Sequence, residues 1–287
     1  MNFHERKLPV SASYFAPHTL DEAIEVMAAH APDIVAGGTD YFPSRDRSPL
    51  DRSLLDVTRM PELRTISVSD AGWRIGAATT WTDLVRADLP PAFDALRAAA
   101  REVGSVQIQN AGTVAGNLCN ASPAADGVPP FLVLNAQVEL AGPNGRRHLP
   151  LAEFLKAPRR TDLQRGEIMV AIHGPPVPQG ATSAFEKLGA RRYLVISIAM
   201  TAVLIVLDDD GLISEARVAV GACSPVAQRL PGLEAALVGQ SPDSPGIDAD
   251  ALPELTPISD VRADARYRAE AVPHQIERAL QRAARYG

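Results

Sequence analysis

Residues 106–126 read VQIQNAGTVAGNLCNASPAAD, a stretch in which small and polar side chains interrupt the apolar periodicity of the surrounding chain. A second glycine-bearing stretch, DIVAGGTD, occupies residues 33–40. Backbone N–H groups approach a buried pyrophosphate only where no side chain holds the main chain away, which Gly37, Gly38, Gly112 and Gly116 permit. Thr39, Thr113 and Asn117 add side-chain donors, Asp40 can accept from a ribose hydroxyl or cap a turn, and Ser122 and Asp126 follow within reach of a sugar or adenine edge. Alone, AGGTD is also an ordinary β-turn and 106–126 a surface loop; together in one chain they point to a cradle for a phosphate-bearing cofactor.

Working outward, Thr19 and Glu22 have the spacing of a capping box, and Leu20, Ala23, Ile24, Met27 and Ala28 continue it as a helix entering the first stretch. Ile34 to Ala36 read as a short strand ending in the Gly37–Gly38 turn, and Pro43 and Pro49 oppose a long helix after it. Neither G-x-G-x-x-G opening a helix nor G-x-x-x-x-G-K-[ST] occurs, which disfavours a doubly wound dinucleotide fold. Leu54–Val57 and Trp73–Ala77 are predicted strands, and Pro91–Val103 a helix stopped by Gly104, right before the second stretch. Gln137–Leu140 and Arg146–Leu149 flank a hairpin turn at Gly142-Pro143-Asn144-Gly145, and Ile168–Ile172 is a further strand. The linker Gly174-Pro175-Pro176-Val177-Pro178 sets the main domain boundary. Beyond it, Ala184–Leu188, Val195–Leu207 and Ile213–Val220 read as an antiparallel meander, followed by helices at about Leu233–Val238 and Pro273–Tyr286 and by an exposed loop over Ser241–Asp250 between them.

The 287 residues suit two packed domains, and 46% apolar with 22% charged residues is ordinary globular composition. With 28 basic against 34 acidic residues and a net charge of -6, nucleic acid is not an expected partner. Two cysteines, Cys119 and Cys223, are too few for a disulfide framework, an iron–sulfur cluster or a four-ligand zinc site. MNFHERKLPV at the start has no secretory apolar core, so the expected location is cytoplasmic. The most apolar run, YLVISIAMTAVLIVL at 193–207, falls short of the ~20 residues of a membrane span and reads as a buried strand.

AGGTD at 36–40 with TVAGNLCNASPAAD at 113–126 resembles the two flavin motifs of the FAD-binding medium subunits of molybdenum hydroxylases, the xanthine dehydrogenase and carbon monoxide dehydrogenase group. The resemblance continues through Gly142–Gly145, the run Phe154–Leu163, FEKLGARRYLVISIAM at 185–200 and RADARYR at 262–268. It implies an α+β chain: an N-terminal FAD-binding domain of the vanillyl-alcohol-oxidase-like (PCMH) type over 1–177, in subdomains of about 1–58 and 59–177, then an α+β domain of the CO dehydrogenase flavoprotein type over 178–287, with an antiparallel sheet and helices. It implies non-covalent FAD, with Ile34, Val35, Ala36, Gly37, Gly38, Thr39 and Asp40 wrapping the pyrophosphate. Thr113, Val114, Ala115, Gly116 and Asn117 would supply further phosphate and ribityl contacts, and Asp126 a side-chain contact. Ile168 would make an apolar backbone contact and Lys187 would lie at the flavin. The position where some relatives place a phenylalanine over the ring is about Val103 here.

The resemblance also implies partners: a large subunit holding molybdopterin that hydroxylates an organic substrate, and a small subunit whose 2Fe-2S clusters relay the electrons. The flavin of this chain would pass them to NAD or another acceptor, with no catalytic side chain and no metal on the chain itself. Read without the family, Lys187 is equally an exposed strand lysine, Arg191-Arg192 a solvated turn or a phosphate-attracting pair, and Cys119 a small apolar filler. The six histidines are scattered, and none lies in either stretch, so histidyl attachment of a flavin is not suggested. The rival expectations are a stand-alone flavin oxidase, which needs an acid or base beside the ring, and a non-enzymatic module that keeps the fold.

Overall fold

The computed structural model describes residues 12–45, 52–247 and 252–285. Near the start, β1 (Tyr14–Phe15), β2 (Asp33–Val35) and β3 (Leu54–Asp56) form a parallel sheet in the order β1-β3-β2. Between the first two strands runs α1 (Leu20–His30), where the sequence places it. Thr19 Oγ1 accepts the Glu22 N–H at 3.2 Å, while the Glu22 carboxylate accepts from His18 N–H at 2.8 Å, one residue further back than in a regular capping box. A small core joins this layer to the next, with Leu20, Ala23, Leu55, Val57 and Ile168 buried together and Ile34 and Ala36 packed against them.

The second layer is an antiparallel sheet of β4 (Ile66–Ser69), β5 (Gly72–Gly76), β6 (Gln137–Gly142), β7 (Gly145–Pro150) and β10 (Ile168–Gly174), ordered β4-β5-β10-β6-β7. Its predicted hairpin turns at Gly142–Gly145. Six helices belong to this part of the chain: α2 (Trp81–Arg86), α3 (Asp94–Glu102), α4 (Val106–Ala111), α5 (Val114–Asn120), α6 (Val128–Val133) and α7 (Leu151–Phe154). The small ribbon β8 (Leu155–Ala157) and β9 (Arg160–Thr161) completes it. The predicted helix over 91–103 is α3, preceded by a 3₁₀ turn at Pro91–Phe93 and ended by Gly104 at φ 55°.

β10 ends at Gly174, and a different antiparallel sheet begins at Thr182: β11 (Thr182–Leu188), β12 (Ala199–Leu207), β13 (Ile213–Gly221) and β14 (Gln228–Arg229), in sequential order. Its outer face carries α8 (Pro231–Leu237) and α9 (Ala265–Ala284). On β12, Met200, Ala202 and Leu204 enter the core shared with the preceding helices, whereas Ala199, Val203 and Ile205 enter the one shared with α8 and α9. The strand is therefore buried on both faces, which accounts for the near-continuous apolar run.

Three expectations shift. The strand predicted from Val195 begins only at Ala199, because residues 189–198 leave the sheet as a loop in which Leu194 adopts φ 52° and the Ser197 hydroxyl turns to Asp126. The helix predicted from Pro273 begins at Ala265, where Asp264 caps it by accepting from the Tyr267 N–H at 2.7 Å; Pro273 lies buried inside, its missing N–H omitting one rung. Tyr286 and residues 248–250 of the predicted loop lie outside the described residues. Finally, the polar stretch 106–126 contains two short helices, α4 and α5, whose side-chain caps Ser105 and Thr113 replace the apolar signal that longer helices carry.

Candidate functional site

The two glycine stretches touch. A Cβ added at Gly37 would stand 1.9 Å from the Ala111 carbonyl oxygen, and one at Gly112 would meet Thr39 Oγ1 at 3.4 Å. The first loop thus lies backbone against backbone on the α4–α5 junction, an approach that only glycine permits. Asn120 Nδ2 donates to Asp40 Oδ2 at 2.8 Å and closes the other end of the contact.

The two loops use their main chains differently. In the first, β2 ends at Val35 and Gly38 turns at φ 67°; among the described residues, the N–H groups of Gly37, Gly38, Thr39 and Asp40 donate to no acceptor of the chain. Four successive free N–H groups in a turn suit an anion, and a pyrophosphate matches that donor set. In the second, Val114 N–H donates to Thr79 O, Ala115 to Ala77 O, Gly116 to Thr113 Oγ1 and Asn117 to Thr113 O. Those donors are engaged, so what this stretch offers a ligand is close approach at Gly116, which is exposed and whose added Cβ would meet only Thr113 Oγ1. The Asn117 Oδ1 atom is buried without a hydrogen-bond partner. It stands 3.0 Å from where a Cβ on Gly127, the residue after Asp126, would lie.

Asp126 is the other centre. Lys187 Nζ lies 2.6 Å from Asp126 Oδ2, both side chains 9% exposed, and Ser197 Oγ donates to Asp126 Oδ1 at 2.6 Å. Lys187 also donates to the Glu102 carbonyl at 3.3 Å. Burial holds the Asp126 carboxyl above its ordinary range, against the opposing pull of the Lys187 charge and of the Lys187 and Ser197 hydrogen bonds. Lys187 is therefore not the exposed strand lysine of the simplest reading; its ammonium is buried between Asp126 and the Glu102 carbonyl. Ser197 was not a sequence candidate, and its only signal is that it is a hydroxyl inside the most apolar run of the chain.

The remaining candidates are dispersed. Ile168 is buried in the core that Ile34 and Ala36 pack upon, beneath the first loop. Val103 is half-buried at the end of α3. Arg191 and Arg192 are exposed, Arg191 bonded to the carbonyls of Tyr193 and Leu194 and Arg192 lying over the Tyr193 ring. Cys119 packs against the main core, and burial pushes its thiol up to about 12, as suits a filler and not a nucleophile. A recess of about 350 Å³ lined by Arg74, Glu139, His148 and His173 includes no residue of either stretch. Its central charge is already matched, since Glu139 bonds Arg146 and lies 3.5 Å from Arg74. Among the described residues no group of three or more His, Cys, Asp and Glu could hold a metal, and no helix is long and apolar enough to cross a membrane.

Comparison with known proteins assigns the architecture. Residues 8–177 match the family described as FAD binding domain in molybdopterin dehydrogenase, and residues 183–283 match the CO dehydrogenase flavoprotein C-terminal domain. The xanthine dehydrogenase FAD-binding subunit of Escherichia coli O157:H7 is 35% identical over 223 residues, 76% of each chain. The carbon monoxide dehydrogenase medium chain of Hydrogenophaga pseudoflava is 30% identical over 281 residues, 95% of this chain and 97% of the relative. A solved structure of the Hydrogenophaga pseudoflava enzyme, in a form lacking the Mo-pyranopterin moiety, superposes with a TM-score of 0.84 over 96% of this chain and 98% of its own. With a fold of two α+β units and both family patterns in register, the chain belongs to the FAD-binding medium subunits of the xanthine dehydrogenase and carbon monoxide dehydrogenase type.

Proposed function

We propose that this chain holds FAD non-covalently and serves as the electron-transfer subunit of a molybdenum hydroxylase complex. When bound, the flavin supplies the redox chemistry between 2Fe-2S clusters on a small partner subunit, fed by molybdopterin on a large one, and NAD or another acceptor. The observation that carries the reading is the row of free N–H groups from Gly37 to Asp40, pressed by its glycine backbone onto the α4–α5 junction. In it, residues 34–40 take the pyrophosphate, Thr113 to Asn117 admit the cofactor closely at Gly116, and Ile168 supports the first loop from below. Asp126 and Lys187 form the charged contact at the flavin end, held in place by Ser197.

The chain's own groups bind and orient: among the described residues, the charged pair at the proposed flavin end, Asp126 and Lys187, is committed to an ion pair and not held apart as an acid or base. This favours an electron-transfer subunit over a stand-alone oxidase. The domains divide at 177/178, with subdomains of about 1–58 and 59–177, a division supported by the change of sheet between Gly174 and Thr182. The complex is a cytoplasmic heterotrimer, a location where two free thiols stay reduced.

The test is the colour and company of the purified protein. Flavin absorption bands after reconstitution with FAD, together with two further chains that co-purify from the source cell, are the expected result. A colourless protein after reconstitution overturns the FAD reading, and a flavoprotein that purifies alone and oxidises a substrate unaided overturns the subunit reading.

A further inference from the structure

The segment RADARYR contributes one residue, Arg268, that lies in the second turn of α9 and is only 2% exposed. Its Nη2 donates to Asp260 Oδ1 at 2.7 Å. Its Nη1 donates to two carbonyl oxygens, those of Ile198 and Ala222, the latter at 2.8 Å. Its Nε is buried with no partner. An arginine kept only for stability would be a poor choice here: replacing a buried ion pair with apolar side chains of similar volume is often neutral or stabilising. What a planar guanidinium provides, and neither Leu nor Lys can, is a fixed spacing between several acceptors.

Those two carbonyls belong to residues that also hold the candidate site. Ile198 N–H donates at 2.7 Å to the carbonyl of Leu188, the residue after Lys187, and the neighbouring Ser197 hydroxyl bonds Asp126. Ala222, at φ 62°, donates its N–H at 2.9 Å to the carbonyl of Pro123, three residues before Asp126. One guanidinium nitrogen thus ties the strand that carries Lys187 to the loop that carries Asp126. A left-handed non-glycine residue such as Ala222 persists only where its surroundings over-determine it, and Arg268 is one of those restraints.

We infer that Arg268, oriented by Asp260, is a positioning residue for FAD: through Ile198, Ala222 and Ser197 it sets the geometry of the Lys187–Asp126 pair. The C-terminal domain thereby takes part in cofactor binding from a site that touches no cofactor. The inference rests on the proposed FAD site, and its test separates the two.

The experiment is a double-mutant cycle on the full chain, read by fluorescence titration with FAD and, separately, by thermal unfolding. Arg268→Lys is expected to weaken FAD binding roughly tenfold in the wild-type background and by less than about twofold in an Asp126→Asn background, where the pair it positions is already broken. The unfolding curves establish that each variant is folded at the temperature of the titration, so that a loss of affinity is not a loss of fold. Equal fold-changes in FAD affinity across the two backgrounds overturn the inference, because a general structural role predicts that result. Asp260→Asn in the same cycle, at a side chain 23% exposed, gives the same pattern at smaller amplitude and decides the question if Arg268→Lys does not fold. An unsubstituted chain that binds no FAD overturns the proposed function. A chain that binds FAD with undiminished affinity after Asp126→Asn leaves that function standing and overturns only the inference.

Discussion

The two glycine stretches are alike in composition and opposite in use. In Gly37–Asp40 the main chain turns its N–H groups away from the protein's own acceptors, whereas in Val114–Asn117 each N–H is taken up by Ala77, Thr79 or Thr113. The first loop is the donor surface; the second is a capped helix start against which it is braced. Glycine serves both, but for different reasons. Gly37 lets two backbones touch, and Gly116 keeps a surface open.

Substitution should separate these roles. Gly37→Val has the largest expected effect: its Cβ would fall 1.9 Å from the Ala111 oxygen, a backbone atom with no side-chain freedom to give way. FAD retention should vanish, and unfolding should cost about 3 kcal/mol less, by the scale of overpacked interiors, as read by flavin absorbance and denaturant melts. Asp126→Ala follows, since it strands the Lys187 ammonium 9% exposed without its counter-ion; breaking such a pair costs about 3 kcal/mol, and the loss should be relieved in a Lys187→Met, Asp126→Ala double variant.

Gly116→Val sharpens the contrast. Its side chain would meet only the Thr113 hydroxyl, so stability should change by no more than about 1 kcal/mol while FAD affinity falls at least roughly tenfold. A Gly116 variant that loses fold and cofactor together would erase the distinction between the two glycines. Thr113→Ala removes the α5 cap and should cost about 1 kcal/mol in thermal unfolding, with a smaller change in FAD affinity because no donor of the first loop is disturbed.

The smallest effect is a pH dependence beneath the first loop. Burial alone would raise the Asp56 carboxyl, but hydrogen bonds from Thr58 and Tyr14 bring it below its ordinary 3.8. Ionised Asp56 therefore stabilises β3, the strand paired with β2, fully above that value, and the contribution is lost as pH falls through the depressed one. Acid unfolding followed by circular dichroism should be less steep for Asp56→Asn between about pH 4 and pH 2.

Much of the fold was legible because local signals and tertiary structure agreed. The Thr19 cap, the Gly104 stop, the Gly142–Gly145 hairpin and the linker after β10 all carry their chemistry within a few residues. The reading failed where distant partners decided the outcome. Residues 195–198 look like strand, yet Ser197 is drawn out of the apolar run by an aspartate 71 positions away. Pro273 looks like a helix start, yet α9 runs through it because its buried face, Val272, Ile276, Ala279 and Leu280, packs on the C-terminal sheet.

At the site, the sequence by itself determined which residues are small, which can donate and which bear charge, and so singled out both stretches and Asp126 as candidates, while Lys187 was a candidate only through the family resemblance. Only the tertiary structure decided which main-chain donors are left free, because an N–H is free or engaged according to acceptors brought from Ala77 and Thr79 by another part of the chain. It alone revealed Ser197 and Arg268, whose roles lie in distances to carbonyl and carboxylate oxygens far along the sequence. Periodicity and motif spacing report neighbours along the chain; a hydrogen bond across 70 residues leaves no such trace.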